Sequence, residues 1–280
     1  MRELYGIVGG SVSRSLAPDI QNTAFRVLGL SALYLPFSTP DFARFWGGVV
    51  QAGVPALDVL LRGLTVVRPH KEAALSVATR ASERALGAGA ANLLVRNGKG
   101  WWADTTSSVV EPLRAAGLDP THVAAAVVGC GGAGRSVAQE LRDLAAADVQ
   151  LVNRSAHRGE YASRLLGLAW VPLAGFSPGG FDIVVNATPV VDEPVFSVDE
   201  LSEHAVVVDL AYRPDSDTAL IAAARARGHL TVDGRQVLLA EVARQFELFA
   251  EQPLPPEAVQ VALGNGREAP LNRAGCGGEI

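Results

Sequence analysis

An α/β fold in two halves is predicted for this chain on three observations. Short β-branched or apolar runs alternate with alanine-rich amphipathic stretches, the pattern of βα units and a largely parallel sheet. The pattern stops in a turn-rich stretch at 105–122 and starts again from His122. A glycine run then follows an apolar strand and precedes a helical segment. The 280 residues suit two domains of roughly 100–200 residues each. With 49% apolar and 19% charged residues there is material for a real core, which excludes a disordered or collagen-like chain.

The elements follow in order. Leu4 to Val8 reads as a strand, followed by a glycine/serine turn and a helix from about Pro18 to Leu28. Leu33 to Phe37 reads as the second strand. Asp41 caps a helix with Phe42, Phe45, Trp46 and Val49 at helical spacing. Leu64 to Val67 reads as a strand halted at Arg68-Pro69, and Lys71 to Thr79 as a helix with Pro69 just ahead of it. His70, at a helix start, is expected to be exposed. Asn92 to Val95 and Trp101 to Thr105, joined by Asn97-Gly98-Lys99-Gly100, form a hairpin, with Trp101 and Trp102 on opposite faces. In the second half, Val123 to Val128 is a buried strand, 129–134 a turn and Arg135 to Ala146 a helix. Strands follow at Val149–Val152, Asp182–Asn186 and Ala205–Leu210. A late helix, about Val237 to Phe249, packs back on the first half, and 264–280 is a glycine-rich, frayed tail.

Several function classes are excluded. A net charge of −5 carries no basic footprint for nucleic acid. Cys130 and Cys276 form no disulfide or zinc set and read as free thiols in a reducing compartment. The five histidines show no metal-ligand spacing such as H-E-x-x-H, and the G-x-S-x-G elbow of serine hydrolases is absent. No apolar run reaches the roughly 18 residues of a membrane span, and Met1 to Gly6 lacks the layout of a signal peptide. The expectation is a soluble cytoplasmic protein, monomer or homodimer, acting on a small molecule.

Gly129-Cys130-Gly131-Gly132-Ala133-Gly134 fits G-x-G-x-x-G in its proper strand-to-helix context. Gly129 permits the tight turn, Gly131 lets backbone approach a pyrophosphate, and Gly134 permits close helix–strand packing. Helix N-terminal amides then meet the phosphates. Where an NAD site places an acidic residue to bind the ribose 2′-hydroxyl, this chain has Asn153-Arg154-Ser155-Ala156-His157-Arg158. Arg154 and Arg158 attract a 2′-phosphate and Asn153 and Ser155 donate to it, so the dinucleotide expected is NADP.

Further ordered motifs resemble the shikimate dehydrogenase family over nearly the whole chain. They are Gly9 to Pro18, Gly63-Leu64-Thr65-Val66-Val67-Arg68-Pro69-His70-Lys71, Glu83-Arg84-Ala85 through Gly89 to Asn92, and Asn186-Ala187-Thr188-Pro189. Asp209 to Pro214 and Asp233-Gly234 complete the series. The resemblance implies an N-terminal α/β substrate domain (residues 1–110, with late helices at about 237–263 folded back on it). It also implies a C-terminal Rossmann NADP-binding domain (111–236), with a cleft between the two. The implied reaction is reversible NADPH reduction of 3-dehydroshikimate to shikimate. Lys71 falls on the family's catalytic lysine; Ser15, Ala17, Thr65, Val67, Asn92 and Tyr212 fall on its substrate positions. Glu83, Gly129, Gly131, Gly132, Ala133, Gly134, Asn153, Arg154, Ser155, Arg158, Thr188, Leu210 and Gly234 fall on cofactor-side positions.

The chain departs from the family on the substrate side. Ala17 replaces a serine, Val67 a threonine, Ser107 the aspartate that pairs with the catalytic lysine, and Glu241 a glutamine of the late helix. Each lost donor or acceptor facing a hydroxyl costs about 1–3 kcal/mol. One reading moves the carboxylate: Glu241 approaches Lys71 from the other side of the cleft and takes over its orientation. Asp104, three residues before Ser107 on a strand, faces the other way. The alternatives are a quinate-type dehydrogenase or an NADP-binding regulatory protein.

Overall fold

The computed structural model describes residues 2–52, 59–144 and 148–263; the tail 264–280, with Cys276, lies outside the described residues. Two six-stranded sheets organise the described residues. The first half contains β1 (Arg2–Gly9), α1 (Ala17–Val27), β2 (Ala32–Ser38), α2 (Phe42–Phe45), β3 (Val59–Val66) and α3 (Lys71–Val77). It continues through β4 (Arg80–Ala81), α4 (Glu83–Ala88), β5 (Leu93–Asn97), β6 (Gly100–Asp104) and α5 (Val110–Ala115). The second half contains β7 (Ala124–Val128), α6 (Gly132–Asp143), β8 (Asp148–Asn153), α7 (Ala156–Leu166), β9 (Trp170–Pro172) and β10 (Ile183–Asn186). Then come β11 (Val206–Asp209), α8 (Ala219–Ala226), β12 (Thr231–Val232), α9 (Gly234–Ala250) and α10 (Pro256–Leu263).

The second sheet is parallel throughout, in the order β12-β11-β10-β7-β8-β9. This is the 3-2-1-4-5-6 order of a dinucleotide-binding fold, with its switch point beside β7. The valine-rich strands β7, β10 and β11 are buried on both faces, as such a sheet requires. The first sheet runs β2-β1-β3-β5-β6-β4 and is mixed rather than parallel. The hairpin through Asn97-Gly98 turns β5 antiparallel to both β3 and β6.

Local structure differs from the sequence reading at three points. Helix α6 begins at Gly132, inside the stretch read as a turn. Glycine has low helix propensity, but tertiary approach overrides it here. A Cβ on Gly134 would stand 1.8 Å from the Gly129 carbonyl oxygen, and one on Gly132 2.8 Å from Ala90 Cβ. The helix expected after Asp41 loosens after one turn into a wider coil over Trp46–Gln51, where Gly47 and Gly48 sit. His70 is buried, not exposed: its ring packs against Phe42 and its Nε2 lies 2.8 Å from the Thr39 carbonyl. Trp101 is buried and Trp102 half-buried on the opposite face of β6.

Two of the contacts that join the halves are extensive. Helix α9 starts in the second half, where Asp233 and Gln236 form a capping box, and runs across the first sheet. Its Val242, Phe246 and Phe249 share a core with Tyr5, Ile7, Phe25 and Tyr34. The Phe249 ring lies 4.9 Å from that of Tyr5, where only glycine at position 63 leaves room for it. The second contact is Arg135 of α6, 2% exposed. Its guanidinium donates to the carbonyls of Ala88 (2.7 Å), Gly89 (3.3 Å) and Cys130 (3.1 Å), and to the Glu72 carboxylate (2.8 Å). The face of Tyr161 covers it. The exposed Glu72 adds little; the weight falls on the buried carbonyls. Arg135→Leu leaves them without this donor. The expected loss is about 2–5 kcal/mol of unfolding free energy, read from urea denaturation monitored by circular dichroism.

Candidate active site

The C-terminal ends of β1, β3, β10 and β11 open on a shared cleft of about 740 Å³. The first half contributes Ser15 and Ala17 from the β1–α1 segment, then Thr65, Val67 and Lys71 from β3 and the start of α3. The second half contributes Ala133 from the first turn of α6, and Thr188, Leu210 and Tyr212, each just beyond a strand end, where open α/β sheets bind ligands. Helix α9 closes one wall with Gly234, Val237, Leu238, Glu241, Val242 and Gln245. These positions advance by three and four residues and so form one helix face. Arg14 and Arg68, both exposed, stand at the rim.

Lys71 is the first residue of α3, and its backbone carbonyl accepts the Ala91 amide at 2.8 Å. Its ammonium donates to the Ser107 hydroxyl at 3.4 Å. Among the described residues no carboxylate is in ion-pair contact with it. Burial lowers its pKa below the ordinary lysine value, and the negative charge of Glu241 acts in the opposite sense. The Asp104 carboxylate is engaged elsewhere, accepting from the Ser82 hydroxyl and the Thr105 amide. A Cβ on Gly132 would lie 3.2 Å from Lys71 Cβ, so the glycine loop of the second half abuts the lysine directly.

Behind Lys71 lies a layer of buried polar groups. Asn92 donates through Nδ2 to Ser107 Oγ at 3.1 Å. Its Oδ1 accepts from the Thr106 amide at 2.7 Å and the Thr106 hydroxyl at 3.2 Å. Asn92 and Ser107 therefore touch or flank the lysine without lining the open cleft. Tyr212 spans the cleft entrance, its hydroxyl accepting the Leu16 amide at 3.4 Å.

The glycine loop fits a dinucleotide. Gly129 has φ +109°, a conformation that disfavours a side chain, and its amide donates to Val152. A Cβ on Gly131 would meet nothing within 4 Å, so the outer face of the loop is open. Asn153 ties the loop to the end of β8: its Oδ1 accepts the Cys130 amide at 3.1 Å and its Nδ2 donates to the Ser155 carbonyl. Arg154 and Arg158 are exposed around the start of α7 and Ser155 precedes its first turn. Burial raises the Cys130 thiol to about 11, so it stays protonated and acts as a small space-filler.

Glu83 does not join this constellation. It stands exposed in the first turn of α4, capped by Ser82, outside the cleft lining. Its acidity belongs to a helix N-terminus instead. The site also gains a residue absent from the sequence reading, Gln245. Its signal is its place four residues after Glu241, on the same helical face.

Residues 7–94 match the model of the shikimate dehydrogenase substrate-binding domain. An NADP(+)-dependent shikimate dehydrogenase of Rubrobacter xylanophilus is 36% identical over 84% of this chain and 86% of its own length. The chain belongs to the shikimate dehydrogenase family. The enzyme of the same name from Acidiphilium cryptum is 34% identical over 93% of this chain and 95% of its own. Among solved structures, the shikimate 5-dehydrogenase of Thermus thermophilus in complex with NADP(H) and shikimate superposes with a TM-score of 0.80. It is 29% identical and covers 94% of this chain and 98% of its own. The two-sheet α/β architecture is thus the family's. Among the described residues no helix is long and apolar enough to cross a membrane, and no cluster of histidine, cysteine and carboxylate side chains suits a metal ion.

Proposed function

We propose that this chain is an NADP-dependent oxidoreductase of shikimate dehydrogenase type, interconverting 3-dehydroshikimate and shikimate or a closely related cyclic hydroxy acid. The observation that carries the reading is the Lys71 ammonium, partly buried in the cleft against the glycine loop of a dinucleotide-binding sheet. In this reading residues 1–110, with α9 and α10 folded back, form the substrate domain, and residues 111–236 the cofactor domain.

NADP, when bound, supplies the hydride acceptor. The chain's own residues supply position and proton handling. Helix α6 offers its N-terminal amides over an open glycine face, which suits a pyrophosphate. Arg154 and Arg158 present the donors that a 2′-phosphate requires, and Asn153 holds the loop that carries them. Thr188, Leu210 and Gly234 line the cleft from strand ends and the α9 start, where the reacting ring would rest.

Lys71 Nζ takes the proton of the reacting hydroxyl as its carbon gives up hydride, and returns it in the reductive direction. Ser107 orients the amine by accepting from it, but a neutral hydroxyl does not favour the ammonium as a carboxylate would. Glu241 supplies that negative charge from α9. Ser15 and Tyr212 offer hydroxyls to the substrate, whereas Ala17 and Val67 present apolar surface.

Three measurements test this reading. Lys71→Met should cut kcat by about 10²–10⁴-fold with NADP binding retained. In the oxidative direction the rate rises as Lys71 loses its proton. Removing the negative charge that favours the ammonium lowers its pKa, so Glu241→Gln should move that limb to lower pH. Steady-state profiles with shikimate and NADP read the shift; an unmoved limb rejects the role of Glu241. Replacing both Arg154 and Arg158 by alanine should weaken NADP by about 10–100-fold while leaving NAD unchanged, read by calorimetric titration. NADP binding without oxidation of any cyclic hydroxy acid overturns the enzymatic reading.

A further inference from the structure

The inner wall of the cleft carries a chain of its own hydrogen bonds, and one residue closes it. The Tyr34 hydroxyl donates to Thr65 Oγ1 at 2.6 Å, and the Thr65 hydroxyl donates to Gln245 Oε1 at 2.6 Å. Gln245 Nε2 donates to Thr106 Oγ1 at 2.9 Å, whose own hydrogen goes to Asn92 Oδ1. Each of these five residues is at most 6% exposed. All three hydroxyl hydrogens are therefore committed within the protein. Gln245 faces the cleft, while Thr106 and Asn92 lie behind it.

Around this plug Val67, Leu238 and Val242 present apolar surface and supply no partner for a ring hydroxyl, while Glu241 stands one helical turn away. Gln245 cannot swing aside freely. It is 1% exposed, and displacing it takes the acceptor from the buried Thr65 hydroxyl and one donor from Thr106 Oγ1, a costly change. A substrate with several ring hydroxyls would meet side-chain hydroxyls whose hydrogens are already committed and a glutamine held in place by two of them.

We propose that Gln245 is a specificity-determining residue that fills the inner end of the cleft and selects cyclic hydroxy acids with fewer ring hydroxyls than shikimate. The proposal rests on the dehydrogenase reading above and sharpens its substrate class. Its probes are shikimate, with three ring hydroxyls, and 3-hydroxycyclohex-1-ene-1-carboxylate, which keeps only one.

The test compares NADP-dependent oxidation of the two acids, and their calorimetric binding to the NADP complex, in wild type and Gln245→Ala. The wild type should favour the monohydroxy acid by about tenfold or more in kcat/KM. Gln245→Ala should narrow that preference by about tenfold, through a lower KM for shikimate at similar kcat. The same change should appear in the binding ratio. A wild-type preference for shikimate, a ratio unchanged within about twofold in the variant, or binding of neither acid overturns the proposal. Loss of the enzymatic reading looks different: neither acid is oxidised, yet the binding ratio still shifts as stated, which upholds the role of Gln245. If Gln245→Ala does not fold, as judged by thermal melting, Gln245→Ser opens most of the same space and decides the matter.

Discussion

The site depends on an ammonium group held partly out of water with no carboxylate in contact among the described residues. Lys71 Nζ meets the Ser107 hydroxyl, and the negative charge acting on it comes from Glu241 on another element. Burial alone would favour the neutral amine, and the Glu241 carboxylate partly restores the charged form. A group balanced in this way can both accept and release a proton, which a fully paired ammonium does less readily. The price of this balance is geometric: the charge must arrive from a helix that belongs by sequence to the other end of the chain.

Helix α9 meets that demand because it is anchored at both ends. Its capping box fixes the start at Asp233, and the Phe246 and Phe249 rings fix its far turns against the first sheet. Glu241 and Gln245 lie between these anchors, so their side chains reach the cleft at set positions. Arg135 works from the opposite side, binding carbonyls at the end of α4 and of the glycine loop. Together they hold Lys71 and the loop within contact distance, as the narrow space at Gly132 records.

Much of this is legible in the residues. The valine-rich strands, the glycine run and the Asn153-Arg154-Ser155 segment carry local signals strong enough to define the second half. The start of α6 escapes the sequence because glycine signals a turn by propensity, while its use here answers contacts from residues 90 and 129, far along the chain or hidden by the fold. His70 escapes it for a similar reason: the Thr39 carbonyl and the Phe42 ring that receive it come from another segment. Glu83 matches a motif whose position the fold turns to solvent. Gln245 has a visible helical spacing, but its partners Thr65 and Thr106 are 180 and 139 residues away, so only the folded chain reveals the network.

The most direct test of the central claim is a titration of Lys71 itself. Carbon-13 labelling at lysine Cε, with Lys71→Met used to assign the resonance, follows its protonation by NMR in the ligand-free protein. The account predicts a midpoint clearly below the ordinary lysine value of about 10.4. A midpoint at or above that value would mean that the amine is solvated or fully paired, and would contradict the account.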